Sequence, residues 1–193
     1  MSAYFKSVSA ELKKDWKTTV LVLIFTVARL IYGWSWFSAG WEKLSWFSNG
    51  KFNSGKEIQG LITNIAGPKV TRFDPLGINH LFGWIAQHVF LPMGQVTDVL
   101  VVISELLVGV ALILGFRIFW SALLAMFLNV QYIVAGSFNN FGYIWTNLAM
   151  LKFARYAELI GVGGFLSFKK NQQSVSQDFG KAYKTPLKPT ISH

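Results

Sequence analysis

The stretch VARLIYGWSWFSAGWEKL, residues 27–44, decides the fold because it places an arginine within a long apolar segment. Residues at helical spacing from that arginine share one face: Arg29, Gly33, Trp36, Gly40 and Lys43. A charge at the bilayer centre costs about 2.5 to 3.5 kcal/mol on insertion scales, so it normally faces a protein interior and has a partner there. Glycines on the same face allow a second helix to approach closely. The stretch therefore predicts a helix bundle in a membrane with a charged interior.

The composition agrees with a membrane protein. Of 193 residues, 52% are hydrophobic and 14% are charged, against about 25% charged residues in soluble domains. The net charge of +9 does not indicate nucleic-acid binding, because the cations flank apolar segments instead of forming a face of their own. The absence of cysteine excludes disulfides, a thiol nucleophile and an iron–sulfur cluster held by this chain.

The apolar segments predict an all-α, integral membrane four-helix bundle with short interfacial helices in a long outer loop. The bundle domain is expected at residues 20–168. It is preceded by a basic segment, 1–19, which is expected to be a short surface helix or a solvated tail, and it is followed by a basic, mobile tail at 169–193. The four spans are expected at 20–41, 96–115, 118–136 and 144–168, the outer loop at 42–95, and its interfacial helices at 56–67 and 79–92.

The fourth span is interrupted by Lys152, Arg155 and Glu158 at three-residue spacing. Charges facing lipid would prevent insertion, so a helix along the membrane surface is the alternative. Insertion is favoured because apolar flanks lie on both sides and because Arg155 and Glu158 can pair.

The distribution of cations predicts the orientation. Lysines and arginines are concentrated in both terminal segments, one lies in the 115–118 turn, and the 137–143 turn has none. By the positive-inside rule, both termini of this multi-pass protein of the cell membrane are expected in the cytoplasm, and the 42–95 loop outside.

Counting 1.5 Å per residue from the expected boundaries places several polar residues in one central slab: Arg29, Glu105, Asn129, Lys152, Arg155 and Glu158. One interpretation is a structural core with the pairs Arg29–Glu105 and Arg155–Glu158. The other is a polar pocket for an anionic or carbonyl-bearing ligand, such as a quinone head group, with a glutamate carrying protons. No metal site is expected, because His80 and His88 are eight residues apart and lack an acidic or sulfur partner ligand.

The same residues resemble the DoxX/DoxD family of small prokaryotic membrane proteins over residues 20–168. The first span is similar to the family's opening helix, with Arg29 followed by Gly33, Gly40 and Lys43-Leu44. The second is similar to its glutamate helix, with Glu105 followed by Gly109, Gly115 and Arg117. The fourth resembles the closing helix, with Asn147 ahead of the glycines at 161–164.

The resemblance implies a four-helix fold and, for the DoxD branch, the membrane subunit of a thiosulfate:quinone oxidoreductase. Other DoxX-like proteins are associated with oxidative-stress defence and with complexes containing redox partners. The long outer loop fits the DoxD branch better. Since the chain offers no cysteine, haem or metal cluster, electrons would pass through a bound quinone, a second redox subunit, or both; a homo-oligomer is the other expected assembly.

Three functions follow as hypotheses. The first is a quinone-linked oxidoreductase subunit, in which Glu105 or Glu158 exchanges protons and the remaining candidates bind substrate or quinone: Arg29, Trp36, Lys43, Asn129, Asn147 and Arg155. In it, Lys43 attracts the anion or simply anchors the helix at the boundary. The second is a non-enzymatic scaffold that docks a redox or oxidative-stress partner protein. The third is a small anion or metabolite carrier, for which four helices are few and no inverted repeat is seen.

Overall fold

The computed structural model describes residues 1–50, 81, 84–134 and 140–184, and none of these residues lies in a strand. We number the main helices in chain order: α1 (Ser2–Lys14), α2 (Trp16–Glu42), α3 (Gln95–Leu114), α4 (Ile118–Val134), α5 (Phe141–Lys152), α6 (Ala154–Leu159) and α7 (Val162–Lys184). A 3-10 helix, Lys43–Gly50, follows α2, while a π-helical turn, Ala86–Phe90, and a short helical turn, Leu91–Met93, precede α3. The expected helix at 56–67 lies outside the described residues.

Asp15 separates the first two helices. Its backbone is extended, and its carboxylate accepts hydrogen bonds from the backbone N–H groups of Lys17 and Thr18, both at 3.2 Å. This is the standard N-cap arrangement, which satisfies donors at the start of α2. The cap therefore begins α2 as a helix separate from α1, within the segment 1–19 where a short helix or a solvated tail was expected.

The bundle is organised around the antiparallel pair α2 and α3. α2 packs along α3 and against α6, α3 packs on α4, and α4 packs along α5. A Cβ added to Gly109 would lie 2.5 Å from the backbone nitrogen of Phe37, and one added to Gly33 would lie 2.9 Å from Leu112 Cβ. The two backbones are therefore close enough that only glycine fits at these positions.

Two helical stretches are long and apolar enough to cross a membrane, Trp16–Ser45 and Val96–Leu114, with mean hydropathies of 1.7 and 2.3. Ile118–Ile133 is apolar but shorter. Large apolar side chains such as Ile31, Trp34 and Leu107 are exposed on the outer faces, where lipid would cover them. The prediction of an all-α membrane bundle is confirmed.

The prediction of one continuous fourth span over 144–168 is wrong. The chain leaves the helix at Phe153 and again at Ile160 and Gly161, which divides the segment among α5, α6 and α7. α5 has 12 residues, about 18 Å of helix, which is too short to cross a hydrocarbon core of about 30 Å alone. The first part of the predicted tail, 169–184, is helical, because α7 continues to Lys184.

Candidate functional site

Arg29 is bonded to the ends of two other helices. Its Nη1 donates to the carbonyl oxygens of Leu112 and Ile113, both at 2.6 Å, and its Nη2 donates to that of Ile160. These carbonyls lie in the last turn of α3 and just beyond α6, where acceptors are left without a helical i→i+4 partner, although that of Leu112 also accepts from the backbone N–H of Gly115 at 3.2 Å. We name Arg29 and these three carbonyls the carbonyl cap. The cation also opposes the negative ends of two helix dipoles.

Glycines provide the space for this cap. Gly115 ends α3 with φ of +67°, and a Cβ there would lie 2.9 Å from Arg29 Cζ. A Cβ on Gly161 would lie 2.8 Å from Gly115 Cα, and the backbone N–H of Gly163 donates to the Gly115 carbonyl at 2.9 Å. The turn after α3 therefore packs directly on the break after α6. The second span was expected to end at residue 115, and α3 does end there.

The predicted pairs Arg29–Glu105 and Arg155–Glu158 are both wrong. Arg29 binds backbone carbonyls, and Glu158 Oε1 instead accepts a hydrogen bond from the backbone N–H of Arg117 at 2.9 Å. The two ion pairs among the described residues are Lys14–Glu11 and Lys43–Glu105. Lys152, the remaining charge of the predicted slab, is exposed and lies 5.5 Å from the ring centre of Phe153.

Glu105 belongs to a second cluster at the other end of the α2–α3 pair. Lys43 Nζ donates to both of its carboxylate oxygens at 2.6 Å, and the Tyr132 hydroxyl donates to Oε1. Glu105 is 1% exposed, whereas the side chain of Lys43 is 24% exposed. We name these three residues the ion-pair cluster. It is a buried carboxylate with a partly solvated counter-ion.

A third cluster joins α2, α4 and α5 through the Tyr32 hydroxyl. That hydroxyl donates to Asn147 Oδ1 and accepts from Asn129 Nδ2, both at 2.9 Å. The Trp36 ring lies edge-on to Tyr32 with centroids 6.1 Å apart, and the half-exposed Tyr143 stacks on it at 5.5 Å. We name the buried members, Tyr32, Trp36, Asn129 and Asn147, the tyrosine network.

Two buried donors of the tyrosine network have no well-aligned acceptor among the described residues. Trp36 Nε1 and Asn147 Nδ2 make no hydrogen bond that meets ordinary geometry, although the residues are only 6% and 0% exposed. A buried donor without a partner costs about 1 to 3 kcal/mol, and such groups in native proteins usually have an acceptor in a bound water or ligand. The network is therefore able to receive an acceptor atom from another molecule.

The tyrosine network adjoins the ion-pair cluster on one side and Arg29 on the other, because Tyr32 is about one turn from Arg29 on α2, whereas the carbonyl cap is remote from the ion-pair cluster. A Cβ on Gly40 would lie 3.1 Å from Glu105 Cβ, and Gly40 is about one turn along α2 from Trp36. Tyr132 and Asn129 are likewise about one turn apart on α4. Arg29 lies against Gly115, roughly 15 Å along α3 from Glu105. The polar residues are thus spread along the α2–α3 pair, with the tyrosine network between the carbonyl cap and the ion-pair cluster, instead of lying in the predicted single slab.

The central residues missed by the sequence analysis are Tyr32 and Tyr132. A tyrosine hydroxyl within an apolar helix needs a hydrogen-bond partner. Both tyrosines could therefore have been recognised from the sequence as Asn129 was, as polar groups inside apolar spans. Groups of three or more side chains that could hold a metal ion are not found among the described residues. His88, whose Nδ1 lies 2.9 Å from the Trp84 carbonyl, stacks on the Trp84 ring.

A bundle of apolar helices around buried polar clusters defines a small helical membrane protein. The model of the DoxX family matches residues 24–137, more than half of the chain. The chain therefore belongs to the DoxX family, and the matched region includes Arg29, Lys43, Glu105 and Tyr132. Searches of curated proteins and of solved structures gave no significant match.

Proposed function

We propose that this DoxX-family protein is the quinone-binding membrane subunit of an oxidoreductase. The observation that carries the proposal is the pair of buried, unpartnered donors in the tyrosine network, Trp36 Nε1 and Asn147 Nδ2. A quinone presents a carbonyl oxygen on an apolar ring, so it can supply the missing acceptor without adding charge. The aromatic rings of Tyr32, Trp36 and Tyr143 would contact the flat face or edge of such a ring.

A bound quinone would accept two electrons and two protons. Trp36 Nε1 and Asn147 Nδ2 would orient one carbonyl oxygen, while Asn129 fixes the Tyr32 hydroxyl between them. These donors are neutral, so they would strengthen their hydrogen bonds as negative charge develops on that oxygen.

Protons would come from the adjoining ion-pair cluster. Glu105 Oε1 accepts a hydrogen bond from the Tyr132 hydroxyl. The ammonium group of Lys43, whose side chain is partly exposed, is paired with this buried carboxylate. A carboxylate within a turn of the site is suited to hold and pass a proton. The expected role of Glu158 as an alternative remains a prediction, but its contact with Arg117 N makes Glu105 the better candidate.

Arg29 and Lys43 are less suited to hold an anion than the sequence suggested, because both are bonded within the protein. The electron donor in our proposal is thiosulfate, acting through a second redox subunit or a homo-oligomer. We propose the cell membrane as the location, with several spans and both termini in the cytoplasm, because the described cations concentrate in α1 and α7.

Quinone titration of the purified protein tests the proposal. In detergent, a short-chain quinone should quench tryptophan fluorescence with saturation in the wild type and in Trp145→Phe, which removes a tryptophan 68% exposed to lipid. The saturable part should be lost in Trp36→Phe, and the apparent Kd should rise at least tenfold in Asn147→Leu. Equal, non-saturating quenching in all four proteins would show partitioning into the micelle and would refute the proposal.

A non-enzymatic scaffold is the second candidate, favoured by the engagement of Arg29 and Glu105 with protein partners. In this case a soluble redox partner would act on the membrane and the polar clusters would only hold the helices together. Glu105→Gln would then lower thermal stability while leaving quinone titrations of wild type and variant identical.

A further inference from the structure

A cleft of about 590 Å³ lies between α1, α6 and α7, apart from the tyrosine network. None of the four network residues lines it. Its volume is in the range of sites that bind small molecules. Its polar lining includes Glu11, Thr18, Arg155, Glu158, Ser167 and Asn171.

The two carboxylates of the lining are engaged elsewhere. Glu11 accepts from Lys14 Nζ at 2.8 Å, and Glu158 accepts from the backbone N–H of Arg117 at 2.9 Å. The pKa of Glu11 is lowered chiefly by its hydrogen bond and charge interaction with Lys14, and Arg155 contributes least to that shift. Glu11 is therefore paired with Lys14 and only weakly influenced by Arg155.

Within the described part of the chain, Arg155 is the charged group of the cleft that no hydrogen bond or ion pair engages. It is exposed, and among the described residues it makes no hydrogen bond or ion pair. Its guanidinium carries five donors in a planar fork that matches phosphate oxygens. Ser7, Ser167 and Asn171 add neutral groups that can donate to the same oxygens.

Two further features favour an anion with an apolar part. Lys169 and Lys170 follow Phe168 on α7, and Lys13 and Lys14 end α1, so the surroundings of the cleft are positively charged and attract anions. Val8 and Phe168 line the cleft and offer an apolar surface to a glycerol or acyl group.

We propose that this cleft binds a phosphate-bearing ligand through Arg155. The phosphate belongs either to a membrane phospholipid headgroup or to a soluble phosphate monoester, since the same donors recognise both. The proposal is independent of quinone binding, because the cleft and the tyrosine network share no residue.

The test uses the full-length, delipidated protein in detergent and three probes: short-chain phosphatidylglycerol, glycerol phosphate, and an uncharged galactolipid with the same acyl chains. Binding is measured by titration and by the shift in Tm. Arg155→Gln removes the proposed ligand group. Lys152→Gln is the matched control, because it removes a neighbouring exposed cation that does not line the cleft.

We expect phosphatidylglycerol to bind and raise Tm in the wild type and in Lys152→Gln, with Kd at least tenfold weaker in Arg155→Gln. If glycerol phosphate also binds and its binding depends on Arg155, the phosphate monoester alone is recognised. If only phosphatidylglycerol binds, the ligand is the lipid. Equal phosphatidylglycerol affinity in Arg155→Gln, equal binding of the galactolipid, or no binding of either phosphate probe would overturn the proposal. Circular dichroism of Arg155→Gln establishes that the variant is folded.

Discussion

The carbonyl cap and the tyrosine network are both buried and polar, but they differ in what they leave unsatisfied. In the cap, Arg29 donates to three backbone carbonyls, and the Gly115 backbone closes on the guanidinium so tightly that a Cβ would lie 2.9 Å from Cζ. Its Nε lacks an acceptor among the described residues, but the other donors of the guanidinium are bonded within the protein. In the network, the unpartnered donors belong to neutral side chains beside the half-exposed Tyr143.

This difference teaches that charge alone does not identify a ligand site. The most conspicuous residue of the sequence, Arg29, holds two helix ends together, and a ligand would have to displace backbone groups to reach it. The neutral residues around Tyr32 hold one another but keep donors for a further partner. Stability should therefore depend mainly on the cap, and ligand affinity mainly on the network.

The largest loss of stability is expected from Arg29→Met. It removes the donors to Leu112, Ile113 and Ile160 while keeping an apolar side chain. Since hydrogen bonds to charged groups contribute about 1.5 to 3 kcal/mol each and are not additive, we expect the free energy of unfolding to fall by about 3 kcal/mol or more. Thermal unfolding in detergent measures this, and an unchanged Tm would contradict a structural role for the cap.

Gly115→Ala should have the next largest effect. The residue has φ of +67° and no space for a Cβ beside Arg29. Left-handed backbone strain in alanine costs about 1 to 2 kcal/mol, and the contact with Arg29 adds to it. Gly142→Ala is the control, because Gly142 lies within α5 without a positive φ and has nothing within 4 Å of an added Cβ. If Tm falls equally in both variants, the close packing of Gly115 on Arg29 does not contribute to stability.

Glu105→Gln should be less damaging to stability. It breaks the ion pair with Lys43 but retains an acceptor for Tyr132. Removing one partner of a fully buried pair costs about 3 to 5 kcal/mol; because Lys43 is 24% exposed and can be solvated, we expect a loss nearer 1 to 2 kcal/mol. Glu11→Gln, which breaks the exposed pair with Lys14, should leave Tm unchanged, and equal losses would contradict the buried character of Glu105.

The smallest change in stability is expected from Asn147→Leu. The variant loses the acceptor for Tyr32 but also removes a buried donor that has no partner. These effects partly offset each other, so we expect a loss of about 1 kcal/mol or less, together with the tenfold loss of quinone affinity. A fall in Tm as large as that of Arg29→Met would show that the network is also structural.

Periodicity predicted the buried faces correctly. Arg29, Gly33, Trp36 and Gly40 are buried on α2, and residues at the same helical spacing are buried on α4, namely Ser121, Ala125 and Asn129. Faces follow from the 3.6-residue period, which needs no knowledge of neighbouring helices. The helix end at Gly115 was predictable for a similar local reason, since glycine readily adopts a positive φ.

The contacts between helices were not predictable, because they depend on register. Matching the expected ends of the spans placed Arg29 at nearly the depth of Glu105. In the structure, Phe37 lies against Gly109 and Arg29 against Gly115, so Glu105 reaches Lys43 instead. An error of one or two turns in the axial offset between two helices moves a residue by about 5 to 10 Å relative to its neighbours. Such a shift changes the partner of every side chain between the helices. The break at Phe153 was not predictable because no glycine or proline marks it in the sequence.

The hydroxyl of Tyr4 donates to the carbonyl oxygen of Leu159 and lies 3.2 Å from that of Gly161, across separations of 155 and 157 residues. During synthesis, α1 is therefore made about 155 residues before the carbonyl groups that its tyrosine contacts. At 5 to 20 residues per second, this delay is roughly eight to thirty seconds. During this time the lysines of α1 are available to the membrane surface, and the Tyr4 contact forms only after the segment that follows α6 has been made.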